Sequence, residues 1–364
     1  MAQQHLDPTD PLSRQLTGDA LAGYLRSQAT EFLRALRQHR ETGTGDSLDA
    51  ARALRRSARR ISGSLHTFRS LLDPDWSEAI RPELAWLSGT LALEHACASR
   101  LERLLNALHR LSGSAAFPAQ PVNGDGTAAG VRAGARSAGR APGDAGAPAR
   151  PVQPAERGNL TVGAAKAGAL LDRQLTLART RAHSTALQAL GSARFHAVAD
   201  KVALLASEVP LTTTATGTGL RPLADAAEER LTDAVAALPL VTAGSPYNAE
   251  ALVHGLSPDP APHPQDAPWH QVRLLLRLHR YAREVLDGDD APVDVRLLTA
   301  GQALNRHRDA SEAAAAAAAA ARTPRIAPAT AYALGVLHAD QRHEVEAARF
   351  AFQQSWQKRT VNAP

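Results

Sequence analysis

The 364-residue chain has one cysteine, three lysines and few aromatic residues. The single cysteine, Cys97, excludes an intrachain disulfide and a zinc site built from several cysteines. Aromatic residues make up only 4% of the chain, which leaves little material for a platform on which nucleobases stack. No segment has the roughly 18 apolar residues of a membrane-spanning helix, and the first residues do not follow the pattern of a signal peptide. We therefore expect a cytoplasmic protein without a membrane partner.

Strand patterns are also scarce, because β-branched and aromatic residues rarely alternate with polar ones. Apolar residues instead recur at spacings of three and four, which is typical of amphipathic helices. The sequence predicts an all-α fold, and a hydrophobic content of 44% is enough to bury a core. Asp266 is expected to cap the helix that follows it. The predicted helices cover residues 19–41, 46–72, 77–111, 160–190, 192–208, 222–237, 267–286, 292–321 and 327–357.

Composition divides the chain into two folded parts. Between Ser112 and Gly158 it consists mainly of Gly, Ala, Pro and Arg, and such residues cannot offset the entropy of ordering. We expect residues 113–158 to form a disordered linker, and residues 1–17 to form a flexible N-terminus. The folded part of the chain then consists of a first helical half at residues 18–112 and of residues 160–358, which include a second helical half.

The charge of the chain indicates an anionic partner. Its net charge is +5 and its isoelectric point is about 9.8, but these values do not separate nucleic acid, a membrane surface and polyphosphate. The kind of base is more informative, since only three of the 41 basic residues are lysine. The planar guanidinium group of arginine binds phosphate oxygens in pairs, so the composition favours a ligand that contains phosphate.

The predicted helix 46–72 carries a stripe of arginines. Their spacings of three, four, seven and eight residues place five side chains within a face of about 140°. Like charges at such spacings repel each other by roughly a few tenths of a kcal/mol per pair, so the stripe is unfavourable unless an anion neutralises it. The five residues are Arg52, Arg55, Arg56, Arg59 and Arg60.

A second basic stripe lies on the predicted helix 267–286, within an arc of about 80°. Its members are His270, Arg273, Arg277 and Arg280. The first three match Arg52, Arg55 and Arg59 at a constant offset of 218 residues. This repeat predicts an internal duplication, with two pseudo-symmetric helical bundles that face each other. If the two stripes share a cleft, a chain of phosphates between them gains charge-assisted hydrogen bonds and releases counterions.

The first stripe resembles the signature of the CHAD family, which is named for a histidine-containing α-helical domain. The helix is similar to the family pattern V-H-x-x-R-V-x-x-R-R-L-R, with Arg55, Arg59 and Arg60 at matching positions. Arg52 stands where the pattern has histidine, and Ser62 stands where it ends in arginine. The resemblance therefore includes two departures in the first half.

The second stripe resembles a further family element, H-x-x-R-K-x-x-K-R-x-R-Y. It has His270, Arg273, Arg280 and Tyr281 in place and Arg277 at a lysine position, whereas Leu274 and Leu278 replace basic residues. A later segment is similar to the family's L-G-x-H-x-D turn of helix, and its histidine and aspartate correspond to His307 and Asp309. Where the family shows Arg-Asp-x-Asp in the first half, this chain reads His-Ala-Cys-Ala at residues 95–98.

The resemblance covers nearly everything outside the linker. It implies a basic groove that binds inorganic polyphosphate, with polyphosphate granules as a further partner, and it implies neither catalysis nor a cofactor. The departures at residues 62 and 95–98 imply weaker binding or a specialised first half. The implied binding residues are Arg52, Arg55, Arg56, Arg59, Arg60, His270, Arg273, Arg277, Arg280 and His307.

Other functions compete with polyphosphate binding. An enzyme acting on triphosphates would need a Glu-x-Glu-x-Lys strand, but the nearest string, residues 344–348, ends in alanine and lies in a predicted helix. The histidines show no spacing typical of a metal site. Nucleic-acid binding is an alternative, and we expect it to be independent of base sequence and sensitive to salt. A protein adaptor with a degenerate CHAD fold is another alternative.

Overall fold

The computed structural model describes residues 11–41, 47–113, 154–216, 219–245, 252–253, 255–256, 263–288 and 294–361. Within these ranges the chain is all-α, as the sequence predicts, and forms no strand. The helices are α1 (Pro11–Glu41), α2 (Ser47–Thr67), α3 (Pro74–Leu111), α4 (Pro154–Leu190), α5 (Ala193–Ser207), α6 (Leu220–Ala236), α7 (Leu240–Ala243), α8 (Ala267–Asp287), α9 (Val295–Ala321) and α10 (Pro328–Val361).

The nine predicted helices are all present, and the short α7 is an addition. Two of them begin six or more residues earlier than predicted, α1 at Pro11 and α4 at Pro154. A proline suits the first helical position because its fixed φ is helical and its missing N–H has no partner there. Parts of the predicted flexible N-terminus and linker are therefore helical. Apart from Gly113, the rest of those two segments, residues 1–10 and 114–153, lies outside the described residues.

Side-chain caps define the starts of two helices that are important for the site. The Asp73 carboxylate accepts a hydrogen bond of 2.8 Å from the backbone N–H of Trp76 and starts α3. The Asp294 carboxylate accepts one of 3.0 Å from the backbone N–H of Leu297 and starts α9. Each cap satisfies a donor that the helix itself leaves free, and a cap of this kind contributes about 1 kcal/mol.

Three clusters of buried side chains hold the helices together. The first joins α1, α2, α3, α5 and α6 and includes Ala282 and Val285 of α8. The second joins the C-terminal part of α3 to α4, α9 and α10. The third joins α6, α7, the N-terminal part of α8, α9 and Phe352 of α10. Because α3, α6, α8, α9 and α10 each contribute to two clusters, these helices fix the relative positions of the cores.

Candidate anion-binding groove

Helix α2 places two arginines at the edge of its buried face. That face consists of Leu54, Ala58, Ile61 and Leu65, which have no exposed surface. Arg55 and Arg59 each follow one of these residues, so their side chains leave the helix about 100° further around its axis. Their guanidinium groups therefore lie at the boundary between the core and solvent, where both are half-buried.

Helix α8 repeats this arrangement. Val272 and Leu276 are buried in the third core, and Arg273 and Arg277 follow them directly in the chain. Helices α2 and α8 pack against each other, so the arginine pairs of both helices come together. Each of the two stripes contributes two arginines to one cleft.

A cavity of about 480 Å³ lies between α2, α3 and α8, with one residue of α9 at its edge. We call it the arginine groove. The described lining contains no carboxylate, and its uncharged walls include Leu84, Ala85 and Leu274. The basic residues of the lining are Arg55, Arg59, Arg81, Arg273, Arg277, Arg308 and His66.

The arginines of the groove destabilise one another. Burial, followed by the charges of Arg59 and Arg308, lowers the pKa of Arg55 to about 10. Burial and the charge of Arg277 likewise lower the pKa of Arg273 to about 10. At neutral pH these groups all stay protonated, so the lowered pKa reflects a charge that is poorly compensated. A bound anion would relieve this repulsion.

Three guanidinium groups of the groove also have a buried N–H donor without an acceptor. The Nε atoms of Arg55, Arg59 and Arg273 are buried and have no partner among the described residues. Arg273 donates from Nη1 to Oδ1 of Asn305 at 3.3 Å, which satisfies only one of its five N–H groups. A buried donor without an acceptor costs about 1–3 kcal/mol. The protein therefore satisfies these arginines only in part, and their half-buried side chains line the cavity that a ligand would enter.

Gly63 allows α2 and α8 to approach each other beside the groove. A Cβ atom at this position would lie 2.5 Å from Cδ2 of Tyr281 and 3.3 Å from Cδ2 of Leu278. The Tyr281 side chain is 8% exposed and so has little room to move. The absence of a side chain at Gly63 thus allows the two arginine-bearing helices to pack this closely.

We expect Gly63→Ala to destabilise the protein by about 1–3 kcal/mol, because the Tyr281 ring must move to make space for the new methyl group. Gly23→Ala is the matched control, since its added Cβ inside α1 would meet no atom within 4 Å. That change should stabilise the protein by about 0.5–1 kcal/mol, as alanine usually does inside a helix. Urea unfolding measures both effects. Stabilisation by both variants would show that Gly63 does not set the distance between α2 and α8.

The other arginines of the first stripe do not line the groove. Arg52 is exposed and pairs with Asp49 at 2.7 Å. Arg56 is exposed to solvent. Arg60 turns towards α8, where its Nε lies 2.7 Å from Oε2 of Glu284. The predicted stripe is therefore split into a groove pair, a solvent pair and one residue that joins α2 to α8.

The remaining predicted site residues also lie outside the groove lining. His270 and Arg280 are half-buried. His307 is 1% exposed, and its ring stacks on Trp269 with a centroid distance of 5.6 Å. Burial lowers the pKa of His307 to about 4, so it is neutral at neutral pH. The structure therefore places His307 out of reach of a ligand, contrary to the sequence-based expectation.

His307 belongs to a buried polar network at the start of α8. Asp266 Oδ2 lies 2.8 Å from Nη1 of Arg342, and its Oδ1 lies 2.7 Å from Nη2 of Arg349. Arg349 also donates to Nε2 of His307 at 3.3 Å and to Oε1 of Glu346 at 2.6 Å. Asp266 occupies the N-cap position of α8 but makes no side-chain cap bond, so the expected capping role is replaced by ion pairs to α10.

Three basic residues of the groove lining, Arg81, His66 and Arg308, were not predicted from the sequence. Arg81 donates from Nη2 to Nδ1 of His66 at 3.2 Å and also pairs with Glu78 at 2.6 Å. Arg308 adjoins His307, the residue that the family pattern selects. Every arginine of the groove directly follows a buried residue in the chain. These buried residues are Leu54, Ala58, Ile80, Val272, Leu276 and His307.

The fold and the groove define an all-helical protein with a cluster of poorly compensated arginines. The chain belongs to the CHAD family, because the family model described as CHAD domain matches residues 27–289. It is also similar to a solved structure, PptA from Streptomyces chartreusis, with 70% sequence identity and a TM-score of 0.73. That similarity covers 93% of this chain and 99% of PptA. None of the curated proteins matches the chain.

Two features that the described residues do not have bear on the class of site. None of the described helices combines the length and the apolar character that crossing a bilayer requires. In the same part of the chain, no three side chains of His, Cys, Asp or Glu come together as a group that could hold a metal ion.

Proposed function

We propose that this CHAD protein binds inorganic polyphosphate, free or in granules, in the arginine groove without cleaving it. The observation that carries the proposal is the convergence of six arginines on one cavity whose described lining contains no carboxylate. Every unit of polyphosphate carries negative charge and presents oxygens that accept paired hydrogen bonds from arginine. Such a ligand would supply acceptors to the half-buried guanidinium groups of Arg55, Arg59 and Arg273.

The length of the groove favours a polymer over a single phosphate ion. On α2 the lining extends from Arg55 to His66, which corresponds to about 16 Å of helix. Arg55 and Arg59 occupy about 6 Å of this length and His66 lies at its other end, and Arg273 and Arg277 span the same distance on α8. A chain of several phosphates would therefore contact more of the groove than an isolated ion, and it would release more counterions when it binds.

The basic residues of the lining favour binding over cleavage. The arginines can hold phosphate oxygens but cannot act as bases, because they stay protonated at neutral pH. His66 is engaged through Nδ1 by Arg81, and burial together with the charge of Arg81 lowers its pKa. The lining thus supports a role in holding the chain of phosphates.

The uncharged walls favour polyphosphate over RNA. Apart from His66, the aromatic lining consists of Tyr281, which is 8% exposed and offers no open face for stacking. Single-stranded nucleic acid gains roughly 1–3 kcal/mol per base from stacking on aromatic side chains. RNA would therefore have to bind through its phosphates alone, at a lower charge density than polyphosphate.

A competition between ligands tests the proposal. We expect fluorescent long-chain polyphosphate to bind at least about tenfold more tightly than single-stranded RNA of equal charge, with an affinity that falls linearly with salt on logarithmic axes. Fluorescence anisotropy across a salt series measures both ligands on the full chain. Equal affinities would indicate a general polyanion binder. Weak binding of both ligands would overturn the proposal in favour of a protein adaptor.

A further inference from the structure

A second cavity, of about 280 Å³, adjoins the arginine groove between α3 and α9. The two cavities share Arg55, Ala92 and Arg308, so they form one continuous path along α3. The lining contributed by α3 runs from Arg81 to Ala92 in the groove and from Ala92 to Arg103 in the second cavity. Each stretch corresponds to about 16 Å of helix, so the second cavity doubles the length of the path.

The second cavity differs from the groove because it contains carboxylates. Its arginines are Arg55, Arg100, Arg103 and Arg308, and its acidic residues are Asp309 and Glu312. Glu312 bridges two of the arginines, with Oε2 at 2.7 Å from Nη2 of Arg100 and Oε1 at 3.6 Å from Nε of Arg308. Asp309 lies 2.6 Å from Nη2 of Arg308. Carboxylates of the chain thus line this cavity, whereas none belongs to the described lining of the groove.

These carboxylates would also repel a phosphate chain that entered from the groove. Side chains of Asp309 and Glu312 are 46% and 40% exposed, so their negative charge faces the open space of the cavity. An entering anion must displace them from Arg100 and Arg308 before it can use those arginines. The path along which an anion can bind therefore has an energetic boundary at Arg308, where the two cavities meet.

We infer that Glu312, assisted by Asp309, ends the polyphosphate-binding path at Arg308 and so limits the bound segment to the arginine groove. This inference rests on the proposed function and adds a determinant of the length of the bound segment. Without Glu312, Arg100 loses its acidic partner and Arg308 keeps only Asp309. The second cavity then becomes a continuation of the groove, and a long chain gains contacts that a short chain cannot reach.

The test is Glu312→Gln in the full chain, which keeps the shape of the side chain and removes its charge. We expect affinity for long-chain polyphosphate to rise about fivefold, roughly the size of one exposed ion pair. The salt dependence should steepen by about one phosphate contact. Affinity for tripolyphosphate should stay within about twofold of wild type, because so short a ligand fits the groove alone.

The matched control is Glu344→Gln, which removes the same charge from α10, where Glu344 lies 4.0 Å from Arg110 and lines neither cavity. It should leave the affinities for both ligands unchanged. In an Arg100→Gln background, Glu312→Gln should give a smaller gain, because part of the gain depends on the freed Arg100. Thermal unfolding confirms that each variant is folded.

Three results would overturn the inference. One is a Glu312→Gln affinity equal to that of Glu344→Gln, and another is an equal gain for tripolyphosphate, which would show a general field effect instead of a longer binding path. Either result leaves the proposed function intact, because wild-type polyphosphate binding is measured in the same titrations. The third is wild-type protein without saturable polyphosphate binding, which would overturn the proposed function and the inference together.

Discussion

Reversing the charge of one arginine on each wall of the groove, Arg55→Glu with Arg273→Glu, is expected to weaken polyphosphate binding by about a hundredfold or more. A hydrogen bond to a charged group contributes about 1.5–3 kcal/mol, and two such losses add up to at least this factor. The new carboxylates also repel the ligand. Titration with fluorescent long-chain polyphosphate measures the loss, and circular dichroism measures helical content.

The fold should tolerate this double change. The pKa of Arg55 and that of Arg273 are both lowered by burial and by neighbouring arginines, so each positive charge is unfavourable where it lies. A glutamate at either position would face arginines and form attractive pairs instead. We therefore expect unchanged helical content and an unfolding temperature at or above that of wild type, which separates loss of binding from loss of structure.

The control for this experiment is Arg52→Glu with Arg56→Glu. It makes the same change in net charge, with both substitutions on α2, but both residues are exposed and lie outside the groove lining. At 0.15 M salt the Debye length is about 8 Å, so this variant should lose less than about tenfold in affinity. Equal losses in the two double variants would mean that total charge, and not the groove, determines binding.

Replacing the buried aspartate at the start of α8, Asp266→Ala, is expected to cause the largest loss of stability, about 3–5 kcal/mol. Asp266 is 2% exposed and pairs with Arg342 and Arg349, which are 3% and 5% exposed. Removing the carboxylate leaves Arg342 without the acid it pairs with and leaves Arg349 with Glu346 alone. Urea unfolding measures the loss as a lower midpoint of the transition.

The acid dependence of stability provides a second measurement of the same network. Burial alone would raise the pKa of Asp266, but His307 and Arg342 outweigh it and hold the pKa well below its usual value. A carboxyl group with a lowered pKa contributes its full stability above its unfolded pKa and loses it as the pH falls towards the folded pKa. The difference between wild type and Asp266→Ala should therefore be constant near neutral pH and shrink below about pH 4.

An exposed ion pair on the same helix serves as the control. Asp287 pairs with Arg283 at 2.8 Å, four residues apart and partly in solvent. Asp287→Ala should cost only about 0.3–0.5 kcal/mol, as is typical of such helical pairs. If Asp266→Ala cost no more than this, the buried network would not be what anchors α8 to α10.

Much of the fold could be predicted because its signals are local. Spacings of three and four residues identified the nine long helices, and the gap in large apolar residues separated α3 from α4. The starts of α1 and α4 were predicted too late, although Pro11 and Pro154 are at the position where proline favours a helix start. The network around Asp266 could not be predicted, since its partners Arg342 and Arg349 lie more than 70 residues away on α10.

The sequence by itself determined the helical class, the family resemblance and the concentration of arginine on the helices that became α2 and α8. Only the tertiary structure decided which arginines share the groove. A helical period gives the angle between Arg59 and Arg60, but not which of them meets Glu284 and which faces the cavity. It also could not show that Arg308, and not His307, lies at the edge of the groove. The reason is physical: periodicity fixes directions within one helix, whereas a binding site depends on how several helices pack together.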